Sequence, residues 1–274
     1  MHYDVRMTHS RTDTAQRENG QEPYFVKSLE RGLAVIRSFS ADSPTMTLSE
    51  VAERTGMTRA AARRFLLTLK ALGYVSLQGR QFALEPRVLD LGYSYLSSLP
   101  VWDIAEQHLE MLVDELHESS SVTVLDGFDI VYVARVPTKR IMQTNLSVGS
   151  RLPAYPSAMG RVLLAHLPPA ELDAWLAQAE LRPLTSRTIT DPDQLRQSLD
   201  AIRRQGWGLV DQELEDGVRS VATPLHAPGG RVLAAINVST HASRSTLTIM
   251  RERFLPRLLA TAEAITQDLG RRRH

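Results

Sequence analysis

The sequence predicts an α+β protein of two domains. Two short helical segments over residues 47–72 precede a pair of period-two strands, which is the layout of a winged helix-turn-helix. Beyond residue 100, strand pairs are interleaved with helical segments and few strand–helix–strand crossovers occur, so the second sheet should be antiparallel. At 274 residues the chain is long for one domain and ample for two.

Residues 1–22 are polar, mixed in charge and poor in apolar groups, and read as a disordered arm. Residues 23–85 form the first domain. Its first helix is expected over 27–39, where Leu29, Leu33, Val35, Ile36 and Phe39 give one apolar face. The second starts after Thr47. Thr47 followed by Glu50 is a capping box: the hydroxyl takes an amide of the first turn and the carboxylate reaches back. Leu48, Val51 and Ala52 point inward, and Gly56 ends the helix. Thr58 caps the third helix. Ala62, Phe65, Leu66 and Leu69 form its buried stripe, while Ala60, Arg63 and Arg64 point away. Leu67 also points outward, for no reason legible in the sequence. Strands over 74–77 and 81–84 flank a turn at Gln78, Gly79 and Arg80. Pro86 opens a linker helix over 86–99, and Leu99-Pro100 marks the domain boundary.

The second domain covers 100–270. Ala105, Leu109, Leu112 and Leu116 space a helix over 101–118. Strands over 121–125 and 130–136 are joined through Asp126-Gly127, a hairpin signal. A third strand is expected over 142–148. Helices are expected over 157–166, 171–178 and 193–205, and a strand over 209–211. A further hairpin pairs 219–225 with 232–239, in which Pro224 argues for an edge strand or a bulge. A long C-terminal helix from Leu247 to Leu269 should kink at Pro256.

Composition excludes several classes. There is no cysteine, so disulfides, thiolate metal sites and cysteine nucleophiles are ruled out. No apolar run approaches the length of a membrane span, and the N-terminus has no secretory apolar stretch. A cytoplasmic protein with no membrane partner is expected. Eight scattered histidines lack ligand spacing, and GxxxxGK(S/T), GxSxG, HExxH and strand-linked GxGxxG are absent. No catalytic residue, metal or cofactor is expected. Net charge is only +1. Nine Lys/Arg stand against six Asp/Glu over 21–85, and twenty against twenty-two over 86–274, so the basic excess lies around the two-helix stretch.

Two segments carry candidate chemistry. A groove-reading helix needs short or hydrogen-bonding side chains at its N-terminal half and a packed opposite face. Thr58, Arg59, Ala60, Ala61, Arg63 and Arg64 meet that need, with Thr47, Ser49 and the wing's Arg80 as flanking contacts. The same spacing also suits a plain three-helix subdomain with a solvated basic face. In the second domain, the loop 149–157 runs into a helix N-terminus that would suit an anionic group. Asp211 and Glu213, Arg219 and Ser220, and Asn237 and Ser239 lie at the ends of expected strands. Together these could line a small-acid pocket, or be turn and cap chemistry alone.

Both halves then resemble one family. VKSLERGLAVIRSF and LSEVAERTGMTRAAARRFLLTLKALGYV in the first half, with LPAYPSAMGRVLLA, RRQGWGLVDQELEDGVRSVATPL and AAINVST in the second, are similar to the IclR-family transcriptional regulators over residues 23–270. The resemblance implies a winged helix-turn-helix, a linker helix and a GAF-like effector domain. It also implies a homodimer or homotetramer on a palindromic double-stranded DNA operator. VARVPTKRIMQTNLSVGSRLPAYPSAMGR and WGLVDQELEDGVRS are similar to the aromatic-catabolism branch, which regulates protocatechuate, 4-hydroxybenzoate and β-ketoadipate pathway genes. That implies an aromatic acid or β-ketoadipate as the small organic acid effector. Carried over by motif, the effector contacts are the amides of Ala158 and Met159, then Asp211, Ser220, Asn237 and Ser239. Ser220 stands where the family often has Cys. With Asn237, this departure argues against a glyoxylate-type ligand. Arg135, Arg151 and Arg219 are candidate carboxylate partners, and Arg219 reads equally as a structural ion-pair residue. The rival readings are a regulator of a different small-carboxylate pathway, and an enzyme or small-molecule-binding protein with a helical assembly domain.

Overall fold

The computed structural model describes residues 24–40, 42–96, 101–138, 146–227 and 229–271. The arm expected over 1–22 lies outside them. The chain divides into two compact units between Ser94 and Tyr95.

The first unit contains α1 (Lys27–Arg37), β1 (Thr45–Thr47), α2 (Leu48–Thr55), α3 (Arg59–Ala71), β2 (Val75–Gln78) and β3 (Gln81–Leu84). The hairpin β2–β3 is antiparallel, and β1, which the sequence did not announce, adds to β3. Both expected caps form. Thr47 and Glu50 exchange a full capping box, and Thr58 Oγ1 accepts from the Ala61 amide at 3.2 Å. Gly56 ends α2 at φ 66°, a left-handed turn in which a side chain is strained. Val35, Met46, Val51, Ala62, Leu66 and Phe82 share one core. Burying such side chains contributes roughly 1.5–3 kcal/mol each. α1 departs from expectation: Leu29 and Leu33 are exposed while Val35 and Phe39 are buried, so its apolar residues occupy two faces. A 3₁₀ turn at Pro86–Val88 leads into α4 (Leu89–Leu96), where Leu91 and Tyr95 are exposed. The expected boundary at 99–100 lies outside the described residues.

The second unit runs α5 (Val101–Leu116), β4 (Ser119–Asp126), β5 (Asp129–Val136), β6 (Arg151–Pro153), α6 (Ala158–Ala165), α7 (Pro169–Gln178), α8 (Pro192–Gln205), β7 (Gly208–Asp211), β8 (Val218–His226) and β9 (Val232–His241). It closes with α9 (Leu247–Ile249), a π-helical turn (Met250–Phe254) and α10 (Leu255–Arg271). The sheet is antiparallel throughout, in the order β6-β5-β4-β9-β8-β7. One face packs on α5 and α10 through Leu109, Leu112, Val122, Ile236 and Leu258. The other is covered by α6, α7 and α8 through Val162, Leu164, Leu195, Leu199, Ala222 and Ala235. The sheet therefore has no solvent face over most of its area. No described helix is long and apolar enough to cross a membrane.

One expectation is corrected, and two that concern prolines are refined. The strand placed over 142–148 falls on residues outside the description up to 145, and Leu146, Ser147 and Val148 are not strand. The short strand β6 instead lies within the segment read as loop and pairs with β5. Of the edge or bulge expected at Pro224, β8 as a whole is not an edge, since it lies between β7 and β9, but its register with β9 shifts between Leu225 and His226, directly after Pro224. Pro224 is tolerated because β7 pairs only as far as Ala222, so one side of β8 is open there. The disruption expected at Pro256 is taken up by the π-helical turn directly before it, which widens the helix where the ring would meet the preceding turn.

Candidate functional site

In the first unit, α3 carries the candidate nucleic-acid interface. Its stripe of Ala62, Leu66 and Leu69 is buried in the core, which turns Arg59, Ala60, Arg63 and Arg64 outward. Arg59, Arg63 and Arg64 make no ion pair among the described residues, so three guanidinium groups are left to meet an anion. Ala61 is half-buried beside the stripe. Arg80 is exposed at the β2–β3 turn and Ser49 is exposed on α2. Thr47 is less available than expected, because its hydroxyl donates to Glu50 Oε2 at 2.8 Å and accepts from the Glu50 amide. The hydrogen bond from the Thr47 backbone to Glu50, followed by that from its hydroxyl, holds the Glu50 carboxyl below the usual carboxylate range. Leu67 is exposed on the same outer side as Arg63 and Arg64, and nothing in the structure explains it. Two other arginines of this unit are structural. Arg54 holds Ser38 and Ser43, and Arg87 donates to the Leu72 carbonyl and lies over the Tyr74 ring.

In the second unit, the helix-covered face of the sheet carries a polar floor. Pairing register places its residues in rows. Arg135, Ser121, Asn237 and Ala222 lie side by side across β5, β4, β9 and β8. Ser119, Ser239 and Ser220 form the next row, and Tyr132, Thr123 and Ala235 the row on the other side. A bulge near Val122 and Thr123 keeps Tyr132 and Arg135 on the same face although they are three apart. Asn237 organises the centre. Its Nδ2 donates to Ser220 Oγ at 2.9 Å and to Ser239 Oγ at 2.8 Å, and its Oδ1 accepts from the Ser121 amide at 3.0 Å. Arg135 Nη1 donates to Ser121 Oγ at 3.3 Å. No carboxylate pairs with Arg135 among the described residues. Burial pushes this guanidinium below its ordinary value. Burial also pushes the Tyr132 phenol up to about 12, against the opposing charge of Arg135.

Helix α6 packs against β8, β9 and β4 on this face, and its first residues, Ala158 and Met159, are buried. Ser157 Oγ caps it by accepting from the Gly160 amide at 3.0 Å. The Ala158 and Met159 amides have no acceptor among the described residues, being first-turn donors with no partner within the helix. Gly160 permits the tight approach of the preceding loop: a Cβ there would lie 2.1 Å from the Ala154 carbonyl oxygen. Arg161 locks that loop. Its Nε donates to the Tyr155 carbonyl at 2.6 Å, and its two terminal nitrogens meet both oxygens of the buried Glu213.

The structure thus brings together Ala158, Met159, Ser220, Asn237, Ser239 and Arg135. Two expected contacts are corrected. Strand alternation places Asp211 on the opposite face from Val210 and Ser220, where it is held by Arg219 Nε at 2.5 Å and Arg187 Nη1 at 2.9 Å. Burial alone would raise its carboxyl. The hydrogen bonds from Arg219 and Gln212 and the charges of Arg219 and Arg187 outweigh this and hold it below the ordinary value. Arg219 also donates to the Ala242 and Ser245 carbonyls, which bears out its structural reading. Arg151 is spent on Asp126 at 2.6 Å and Asp129 at 3.1 Å. Ser121, Thr123 and Tyr132 were missed. Their signal was the period-two run Ser119, Ser121, Thr123, which ordinarily reads as a solvent face.

Comparison with known proteins decides the family. Residues 28–79 match the IclR helix-turn-helix domain, and residues 93–267 match the bacterial transcriptional regulator IclR C-terminal domain. The chain belongs to the IclR family. It is accordingly a DNA-binding transcriptional regulator and not an enzyme. Within the family it is 46% identical to the Pca regulon regulatory protein of Pseudomonas putida, over 90% of this chain and 86% of that protein. A crystal structure of a Rhodococcus protein described as a transcriptional regulator is 53% identical, superposes with a TM-score of 0.82, and covers 90% of this chain and 99% of its own. The inducer-binding domain of a double mutant of the Acinetobacter PobR transcription factor, solved with 3-hydroxybenzoic acid, is 30% identical. It covers 61% of this IclR-family chain and 98% of its own, with a TM-score of 0.58.

Proposed function

We propose that this regulator controls genes of aromatic-compound catabolism in response to an aromatic acid, or a related dicarboxylate such as β-ketoadipate, bound on the polar floor beneath α6. The observation that carries this reading is Arg135: a half-buried cation with no carboxylate partner among the described residues, beside the Ser121–Asn237–Ser220–Ser239 cluster. A cation taken out of water calls for a counter-charge. The effector's carboxylate would supply it, with the Ala158 and Met159 amides as further donors. The Pca relative and the hydroxybenzoate-bound PobR domain support the aromatic class. Thr58, Arg59, Ala60, Arg63 and Arg64 would read the major groove of a palindromic operator, with Arg80 and Ser49 on the backbone. The exposed Phe25, Leu29 and Leu33 of the first unit, and Leu89, Leu91 and Tyr93 of α4, support a homodimer or a pair of dimers in the bacterial cytoplasm. Effector binding would favour one dimer arrangement over another and so change the spacing of the two α3 helices.

Calorimetric titration of the full chain tests the reading. Protocatechuate, 4-hydroxybenzoate or β-ketoadipate should bind, and glyoxylate should not. Replacing Arg135→Gln should weaken the bound acid by at least about tenfold. Preference for glyoxylate, or an Arg135→Gln variant with full affinity, overturns it.

A further inference from the structure

We propose that the Thr123 hydroxyl reads a ring hydroxyl lying opposite the effector's carboxylate. This rests on the aromatic-acid reading above. It adds the residue that would distinguish a hydroxybenzoate from benzoate itself.

Thr123 is 0% exposed, and among the described residues its Oγ1 is the buried side-chain polar atom left without a hydrogen-bond partner. Native interiors rarely leave such a group unmet, because its lost hydration is not returned by any bond. Its two cross-strand neighbours supply none. Ala235, its partner on β9, carries only a methyl group, and the Tyr132 hydroxyl beside it on β5 makes no hydrogen bond to it. Both neighbours belong to the core under α6, so Thr123 shares the face of the polar floor.

Its place along the strand is what selects the ligand. Thr123 lies two residues from Ser121, whose hydroxyl accepts from Arg135. Two residues of antiparallel strand span about 7 Å, which is close to the reach from a carboxylate across a benzene ring to a para hydroxyl. An acid whose carboxylate faces Arg135 and the Ser121 row therefore brings its far end to the Thr123 row. A phenolic hydroxyl both donates and accepts, so it satisfies Thr123 whichever role that side chain takes. A ligand without it leaves Thr123 as it stands in the free protein. Sites that hydrogen-bond a substrate hydroxyl discriminate most strongly against analogues lacking it for this reason.

The test compares 4-hydroxybenzoate with benzoate by calorimetry on the full-length protein and on Thr123→Val. The variant should bind 4-hydroxybenzoate about tenfold more weakly while benzoate changes by less than about twofold. Its ligand-free melting temperature should not fall, because a methyl replaces an unsatisfied hydroxyl. Thr123→Ser, which keeps the hydroxyl, should keep the preference. If Thr123→Val does not fold, Thr123→Ala gives the same comparison. Equal weakening of both acids, unchanged 4-hydroxybenzoate affinity, or a Ser variant that loses the preference overturns the assignment alone. If the unaltered protein binds neither acid, the aromatic-acid reading fails and the Thr123 assignment falls with it.

Discussion

The Arg161 guanidinium and the Glu213 carboxylate meet at two points inside the second unit, and the same guanidinium donates through Nε to the Tyr155 carbonyl. Glu213 also accepts from the Ile189 amide at 3.0 Å. One ion pair thus ties the start of α6 to the segment after β7 and to the chain before α8. Both charges are out of water, so the pair holds geometry more than it adds stability.

Removing one partner should be far worse than removing both. Arg161→Leu is expected to lower unfolding stability by about 3–5 kcal/mol, because Glu213 is left buried and uncompensated. Arg161→Leu combined with Glu213→Leu should recover part of that loss. Urea unfolding of the two variants measures the difference, and equal losses would show that the pair does not act as a unit.

The arginines of α3 make a different kind of prediction, since they are exposed and have no ion pair among the described residues. Arg63→Ala with Arg64→Ala should leave the melting temperature within about one degree, the usual range for surface changes. It should weaken binding by at least about tenfold to a fragment selected from random-sequence DNA by the native protein. Salt dependence separates the two roles. Phosphate contacts lower the slope by about one per residue lost, and base contacts relax the selected sequence. Full affinity in a mobility-shift assay would mean that α3 presents another face.

A pH effect follows from the His166–His226 contact, whose rings stand edge to face with centroids 6.3 Å apart. Burial, followed by the charge of His166, holds His226 below its ordinary value of 6.5. The unfolded chain therefore takes the proton more readily than the folded one. Stability from the neutral ring is complete above pH 6.5 and is lost as pH falls from there through the folded value. His226→Gln should flatten that part of the stability–pH curve. A slope unchanged by the substitution would assign it to other groups.

Much of the architecture was legible because local chemistry agreed with tertiary need. Thr47 with Glu50, Thr58, Gly56, and the rhythm of Ala105, Leu109, Leu112 and Leu116 each specify an element within one or two turns of chain, and the structure forms all of them. β6 and β1 escaped notice because three residues are too few for a period to show.

The sequence by itself determined the two-domain α+β plan, the helix-turn-helix with its outward arginines, and, through its motifs, the family. What the tertiary structure decided was which polar residues share a space. Asp211 and Ser220 look like neighbours in a motif, yet alternation puts them on opposite faces of the sheet. Ser121 and Thr123 look like a solvent face, yet α6, α7 and α8 cover it. Arg135 and Arg151 are alike as sequence, but one is matched by two carboxylates and the other by none among the described residues. The physical reason is common to all three: a side chain's surroundings come from strands and helices distant in the chain, and no local period encodes them.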